Sequence, residues 1–164
     1  MRQIFAQATY PDRIRVAIVD QLDLNEDMNC AQPDKPCYEN NNDQINDDIL
    51  CQYSHLIDIY TMDASLAVGP VLARHIGNRM YRGEYYTMQT DAHMEFIKGW
   101  DVDIIKQWKS ANNEMAVLTT YFSDVDDHYD AETGKATSNS SPNMCNTDFD
   151  PDYYDPQLTN LMHV

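Results

Sequence analysis

Residues 67–101 read AVGPVLARHIGNRMYRGEYYTMQTDAHMEFIKGWD, and the fold turns on how the pattern changes along them. Leu72, Ile76 and Met80 fall at four-residue spacing, which places them on one face of a helix. Pro70 stands where a first helical residue belongs, since the N–H it lacks has no partner there. The spacing predicts a helix over 68–81, closed by Gly83. In EYYTMQT (84–90) the period shortens to two, with Tyr86 and Met88 on one side, which predicts a strand. That strand delivers Asp91 and His93, two residues apart, just ahead of Gly99, Trp100 and Asp101.

The flanking segments extend the alternation. RIRVAIVD (13–20) reads as a buried strand rich in Ile and Val, and HLIDIYTM (55–62) as a second strand. WDVDIIKQWKSA (100–111) predicts a helix with Ile104, Ile105 and Trp108 on one face and Asp101 and Asp103 in its first turn. MAVLTTYF (115–122) predicts another strand. Residues 21–54 are mostly loop, and the chain after 122 is rich in turn residues. Strand, loop, strand, helix, strand, helix, strand is an α/β order, implying a mainly parallel sheet with helices on its faces. Such sheets bind ligands beyond the carboxyl ends of their strands, which nominates Asp20 and the pair Asp91 and His93. Neither a G-x-G-x-x-G nor a P-loop sequence is present, so a dinucleotide fold is not indicated.

Composition narrows the function classes. The chain has 164 residues, room for one ordinary core, and its 43% apolar content separates it from disordered sequences. A formal charge of -16 argues against a nucleic-acid or anionic-membrane partner. No run of 18 apolar residues occurs, and MRQIFAQATY has no apolar h-region. Cys30, Cys37, Cys51 and Cys145 are too scattered for a disulfide scaffold, so reduced thiols and a cytoplasmic location are expected. A disulfide from Cys30 to Cys37 or Cys51 stays open.

The charge is uneven. From Asp124 onward there are nine carboxylates and one lysine, Lys135, whereas 71–82 has no acid and carries Arg74, His75, Arg79 and Arg82. Two readings fit this basic island: a solvated helix face with acidic partners elsewhere, or a nearby anionic ligand such as a phosphate.

On a continuous strand Asp91 and His93 would share a face about 7 Å apart. A turn at Ala92 lets both converge on one ion. Carboxylate plus imidazole suits Mn²⁺ better than Ca²⁺, and two protein ligands leave positions for phosphate oxygens. A bare D-x-H is frequent by chance, and a turn aspartate beside a structural histidine accounts for it equally well.

The stretches YPDRIRVAIVDQ, 67–101, IIKQW and AVLTTY together resemble the GlcNAc-transferase family typified by the enzyme that modifies hydroxyproline on a ubiquitin-ligase subunit. The middle stretch is also similar to the polypeptide GalNAc-transferases, in which a glycine-led helix, a Gly-Glu turn and a strand deliver Asp-x-His before Gly-Trp. The resemblance runs from about Ala8 to Tyr121 and is weaker around SPNMCNTDFD and TNLMH. It implies a GT-A fold of Rossmann-like character and a UDP-sugar donor, UDP-GlcNAc, transferred with retention to a protein or glycan acceptor. It also implies a divalent ion, Mn²⁺ or Mg²⁺, held by Asp91 and His93. Asp20 falls where relatives carry acids that contact the nucleoside, and Arg74 falls beside the donor.

The resemblance further implies a partial domain over 1–164, incomplete at both ends, with its core over 1–122 and an acidic, loop-rich continuation over 123–164. A further histidine ligand is expected of the family. His163 is too terminal for that role, and His128 lies in an unmatched loop. The competing classes are a catalytically inactive sugar- or protein-binding module of the same fold and, further off, a metallophosphoesterase. The latter needs Gly-Asp-x-x-Asp and Gly-Asn-His-Glu elements that the sequence lacks. DVDDHYDAETGK fails as a calcium loop, with Tyr129 in place of glycine and Lys135 in place of Glu. The cysteines lack the close spacing of a zinc site, and Asn139-Ser140-Ser141 is a sequon without a secretory context. Trp108 is expected to pack against a core and Trp100 to buttress the loop before it.

Overall fold

The computed structural model describes residues 1–38, 46–119, 129–130, 132–137, 147–149 and 161–163. The chain divides into two compact units, Met1–Val102 and Asp103–Val164.

The first unit is built on a two-stranded parallel sheet, β1 (Val16–Leu22) paired with β2 (Ile57–Asp63). The register sets Val16 opposite Ile57 and Asp20 opposite Thr61. Both strands fall where apolar periodicity places them, β1 beginning a little later than expected and running to Leu22. Helix α3 (Pro70–Arg79) follows β2, with Pro70 at its start as expected. Its less exposed positions are Leu72, Ala73, Ile76, Gly77 and Met80, the stripe predicted from four-residue spacing. At Gly77 an added Cβ would sit 3.8 Å from Val19 Cγ2, so this face lies against β1. The helix is capped by Met80 rather than closed by Gly83.

The buried apolar residues of the described chain come from outside the two strands. A short helix α1 (Arg2–Ala6) contributes Phe5, and α2 (Ile49–Gln52) contributes Leu50 and Cys51, joined by Tyr53. The rings of Phe5 and Tyr53 stack with centroids 4.8 Å apart. Residues 21–54 are therefore not all loop. Asp48 caps α2, its carboxylate accepting the Leu50 N–H at 2.9 Å while pairing with Arg2. A disulfide joins Cys37 and Cys51, with Cα atoms 5.4 Å apart. This corrects the expectation of reduced thiols at those two positions, and the bonded pair excludes Cys30. The reason is spatial: Cys37 is brought beside a cysteine whose helix packs into the core.

Two expected strands do not form among the described residues. Residues 84–90 run as coil, although their alternation suits a strand. A strand exists only when a neighbour takes its backbone hydrogen bonds, and no described residue forms a ladder with this segment. Residues 115–119 of the expected 115–122 strand are also non-strand, with Met115 and Val117 both 86% exposed. Residues 120–122 lie outside the described set.

In the second unit, most of α4 (Trp100–Ser110) carries the expected apolar side, and the Trp108 indole N–H donates to the Ala116 carbonyl at 2.9 Å. Trp108 thus holds the turn after the helix, half-buried rather than in a core. Antiparallel pairs join β3 (Tyr129–Asp130) to β4 (Lys135–Ala136) and β5 (Thr147–Phe149) to β6 (Leu161–His163). No described helix is long and apolar enough to cross a membrane.

Candidate functional site

The loop from Tyr81 to Gly99 carries Asp91 and His93, and it is fastened at both ends. At its start, Arg15 at the entry to β1 makes three contacts. Its Nε donates to Asp58 Oδ2 at 2.6 Å, its Nη1 to Glu84 Oε1 at 2.8 Å and its Nη2 to the Met80 carbonyl at 2.9 Å. Glu84 also accepts the Arg82 backbone N–H at 2.9 Å, and the Arg82 guanidinium reaches Asp58 Oδ1 at 2.6 Å. The Arg82 N–H first, then Glu84's own N–H and the Arg15 guanidinium, hold the Glu84 carboxyl below the usual carboxylate range. This network of two arginines and two acids fixes the turn after α3 to both strands of the sheet.

At its far end the loop docks on the N-terminal segment. The Phe96 N–H donates to Gln3 Oε1 at 3.1 Å, and the Trp100 indole N–H to the Ile4 carbonyl at 3.0 Å. The Gly99 N–H meets the Gln7 carbonyl at 2.6 Å. Gly99 holds φ +77, a backbone conformation that would strain a larger residue, although a Cβ there would meet only an ordinary contact, 3.6 Å from Thr9 Oγ1. Asp101 completes the joint by accepting the N–H groups of Thr9 at 2.8 Å and Tyr10 at 2.9 Å. Trp100 also lies against Phe96, ring centroids 4.8 Å apart. This is the buttress expected of it.

Between these anchors the structure brings two of the nominated residues together. Arg74 Nη2, on α3, donates to Asp91 Oδ1 at 3.1 Å. The side chains are 47% and 58% exposed, so the pair is open to exchange with solutes. His93 is exposed and has no hydrogen-bond partner among the described residues. The basic island resolves in part into acidic partners, Asp91 for Arg74 and Asp58 for Arg82. His75 and Arg79 have none among the described residues.

Asp20 stands apart from this pair. It is 9% exposed, lies within β1 rather than at its end, and accepts the Cys30 backbone N–H at 2.9 Å. No hydrogen bond or ion pair among the described residues links it to Arg74, Asp91 or His93. Partial desolvation and the adjoining Asp20 carboxylate push the Cys30 thiol up to about 11. A cavity of about 380 Å³ lies between Cys30, Arg2 and Gln3 on one side and Met94 and Glu95, next along the chain from His93, on the other. Arg74, Asp91 and His93 do not line it.

No group of three or more His, Cys, Asp or Glu side chains placed to hold a metal occurs among the described residues. Asp91 and His93 therefore offer at most a two-ligand set there. Such a set suits a divalent ion only when the ligand itself supplies further oxygens. His128 lies outside the described residues, as do Cys145 and the sequon.

The anchored loop and the helix that faces it belong to a small mixed α/β protein. The family model described as Glycosyltransferase (GlcNAc) matches residues 34–159, which is most of the chain, and the chain belongs to that family. Membership makes it a glycosyltransferase, with a sugar donor and an acceptor as its ligands. The match includes Arg74, Asp91 and His93 and leaves out Arg15 and Asp20. No curated protein and no solved structure matches the chain significantly.

Proposed function

We propose that the chain carries the donor site of a divalent-metal-dependent GlcNAc-transferase of GT-A type. In this reading it takes UDP-GlcNAc and passes the sugar, with retention, to a protein or glycan acceptor, as the likeness to the hydroxyproline-modifying and GalNAc-transferases suggests. The single observation that carries the reading is the contact of Arg74 with Asp91 at 3.1 Å, on a loop fastened at both ends, inside the family match.

The chemistry asks for positive charge. Breaking the bond from sugar to phosphate leaves more negative charge on the nucleoside diphosphate. A divalent ion held by Asp91 and His93 would act as a Lewis acid toward that charge. The donor set fits in type, one carboxylate oxygen and one imidazole nitrogen, with the diphosphate as the remaining ligand. Arg74, and Arg79 beyond it on the helix, add fixed cations whose effect grows as charge develops. Arg82 is less suited, being engaged by Asp58. Asp20 is nearly buried and already holds the Cys30 amide through Oδ2, which favours a supporting role for it in this reading. The Cys37–Cys51 disulfide favours an oxidising compartment over the cytoplasm.

Calorimetry of UDP with and without MnCl₂ tests the reading. Wild-type binding is expected to require the metal, and Asp91→Ala and His93→Ala to lose the metal-dependent part of UDP binding. UDP binding by Asp91→Ala with undiminished metal dependence would sink it. The two-ligand limit among the described residues favours a second reading, an inactive binding module. Turnover of UDP-GlcNAc excludes that reading.

A further inference from the structure

We infer that Arg74 is a placeholder cation on Asp91, and that its transfer to an anionic donor couples divalent-cation binding to nucleoside-diphosphate binding. The inference rests on the metal-site reading of Asp91 and His93 given above. Arg74 and Asp91 come from separate elements, 17 residues apart, each held independently of the contact between them. The helix is set by Gly77 against Val19, and the loop by the Arg15 network at one end and by Gly99 and Asp101 at the other. Breaking the contact therefore releases two side chains without moving either backbone.

The contact is also weak enough to exchange. With both side chains about half exposed, the pair is of the surface kind, worth roughly a two- to five-fold factor in an equilibrium. A guanidinium and a divalent ion on one carboxylate compete, since each neutralises the charge that attracts the other and the two cations repel. Once displaced, Arg74 is a free fork of N–H donors, matched to phosphate oxygens. Among the described residues, no second arginine of the helix or the turn after it is poised in the same way. Arg82 is fixed on Asp58 by a 2.6 Å bond, while Arg79 has no acidic partner among the described residues to leave. The arrangement predicts cooperativity: cation at Asp91 frees Arg74, and freed Arg74 favours the diphosphate. By linkage the effect is reciprocal.

The signature is a pair of opposite effects from one substitution, which a merely structural arginine would not produce. Binding of MnCl₂ alone, followed by the electron paramagnetic resonance of free Mn²⁺, is expected to tighten about two- to five-fold in Arg74→Gln, because its competitor is gone. Binding of UDP at saturating Mn²⁺, followed by calorimetry, is expected to weaken about ten-fold or more, the loss of a charge-assisted hydrogen bond. Arg74→Lys keeps the charge without the fork and is expected to fall between the two on both measurements. Unchanged or weaker Mn²⁺ binding in a folded Arg74→Gln protein, with Arg74→Met giving the same result, overturns the inference. An Asp91→Asn control separates the failures. If it abolishes Mn²⁺ binding while Arg74→Gln fails to tighten it, only the placeholder role falls. If Asp91→Asn leaves Mn²⁺ binding unchanged, or wild type binds no Mn²⁺ into the millimolar range, the metal-site reading falls and takes the placeholder with it.

Discussion

The Asp101 carboxylate accepts the backbone N–H of Thr9 at 2.8 Å across 92 residues of sequence, and its second oxygen takes the Tyr10 N–H at 2.9 Å. The contact ties the end of the Asp91 loop to the segment entering β1. An Asn at 101 is nearly the same shape but has one acceptor oxygen, so one backbone donor loses its partner. Both donors are exposed and water can replace a lost acceptor, so Asp101→Asn is expected to cost about 0.5–1.5 kcal/mol of unfolding free energy, and Asp101→Ala more. Urea denaturation followed by circular dichroism measures both. Two variants within error of wild type would show that the joint is not stabilising.

The same carboxylate predicts an acid limb. Burial alone would push the Asp101 carboxyl up, but the Thr9 and Tyr10 N–H groups outweigh it and hold the group below the ordinary range. A carboxyl depressed in the folded state stabilises fully above its unfolded pKa, near 3.9, and loses that contribution as pH falls through the folded value. The net charge of -16 falls in magnitude over the same range as other acids protonate, which opposes the loss. The difference between wild type and Asp101→Asn isolates the effect. Their melting temperatures should converge below about pH 4 and stand furthest apart above about pH 5. A gap that stays constant from pH 7 to pH 2 would contradict the assignment.

Arg15 is expected to be the most sensitive surface cation of the first unit. Its side chain is 18% exposed and serves Asp58, Glu84 and the Met80 carbonyl at once. A lysine ends in one ammonium and cannot bridge acceptors set out for a planar fork. Arg15→Lys should therefore lose about 1 kcal/mol and Arg15→Ala about 2–3 kcal/mol. In a double-mutant cycle, Glu84→Gln should cost less in the Arg15→Ala background than in wild type. Additive losses would mean that Arg15 and Glu84 act separately.

The legible parts of the sequence were those whose cause is local. Pro70 and the Leu72, Ile76, Met80 spacing placed α3, and Ile104, Ile105 and Trp108 placed the apolar side of α4, because a helix closes its own hydrogen bonds. The segments 84–90 and 115–119 carried good strand patterns and formed no strand, since a ladder depends on a neighbour that the pattern does not name. The anchors escaped for the same reason. Arg15 reads only as part of the 13–20 strand, and Asp101 as a first-turn acid, yet both act on residues at least 43 positions away. Phe5 and Leu50 lie in short segments without enough turns to show a period, so the small core was missed. The meeting of Arg74 with Asp91 is closer to legible, because the basic helix and the acidic residue 17 positions on are both plain in the sequence, and only the path of the loop between them is not.

Cys30 gives the last test, through Asp20. With its thiol pushed up to about 11, Cys30 is almost wholly protonated at neutral pH and should be a slow nucleophile despite its exposure. Iodoacetamide modification, followed at Cys30 by peptide mapping, is expected to be far slower than that of an ordinary exposed thiol at pH 8. Its rate should climb steeply between about pH 10 and 12. Asp20→Asn removes the neighbouring negative charge, so the thiolate becomes easier to form and the climb should begin at lower pH. The amide keeps an oxygen for the Cys30 N–H, which leaves the turn after β1 in place. A rate profile that does not move in Asp20→Asn would assign the raised value to desolvation alone and release Asp20 from any charge coupling to Cys30.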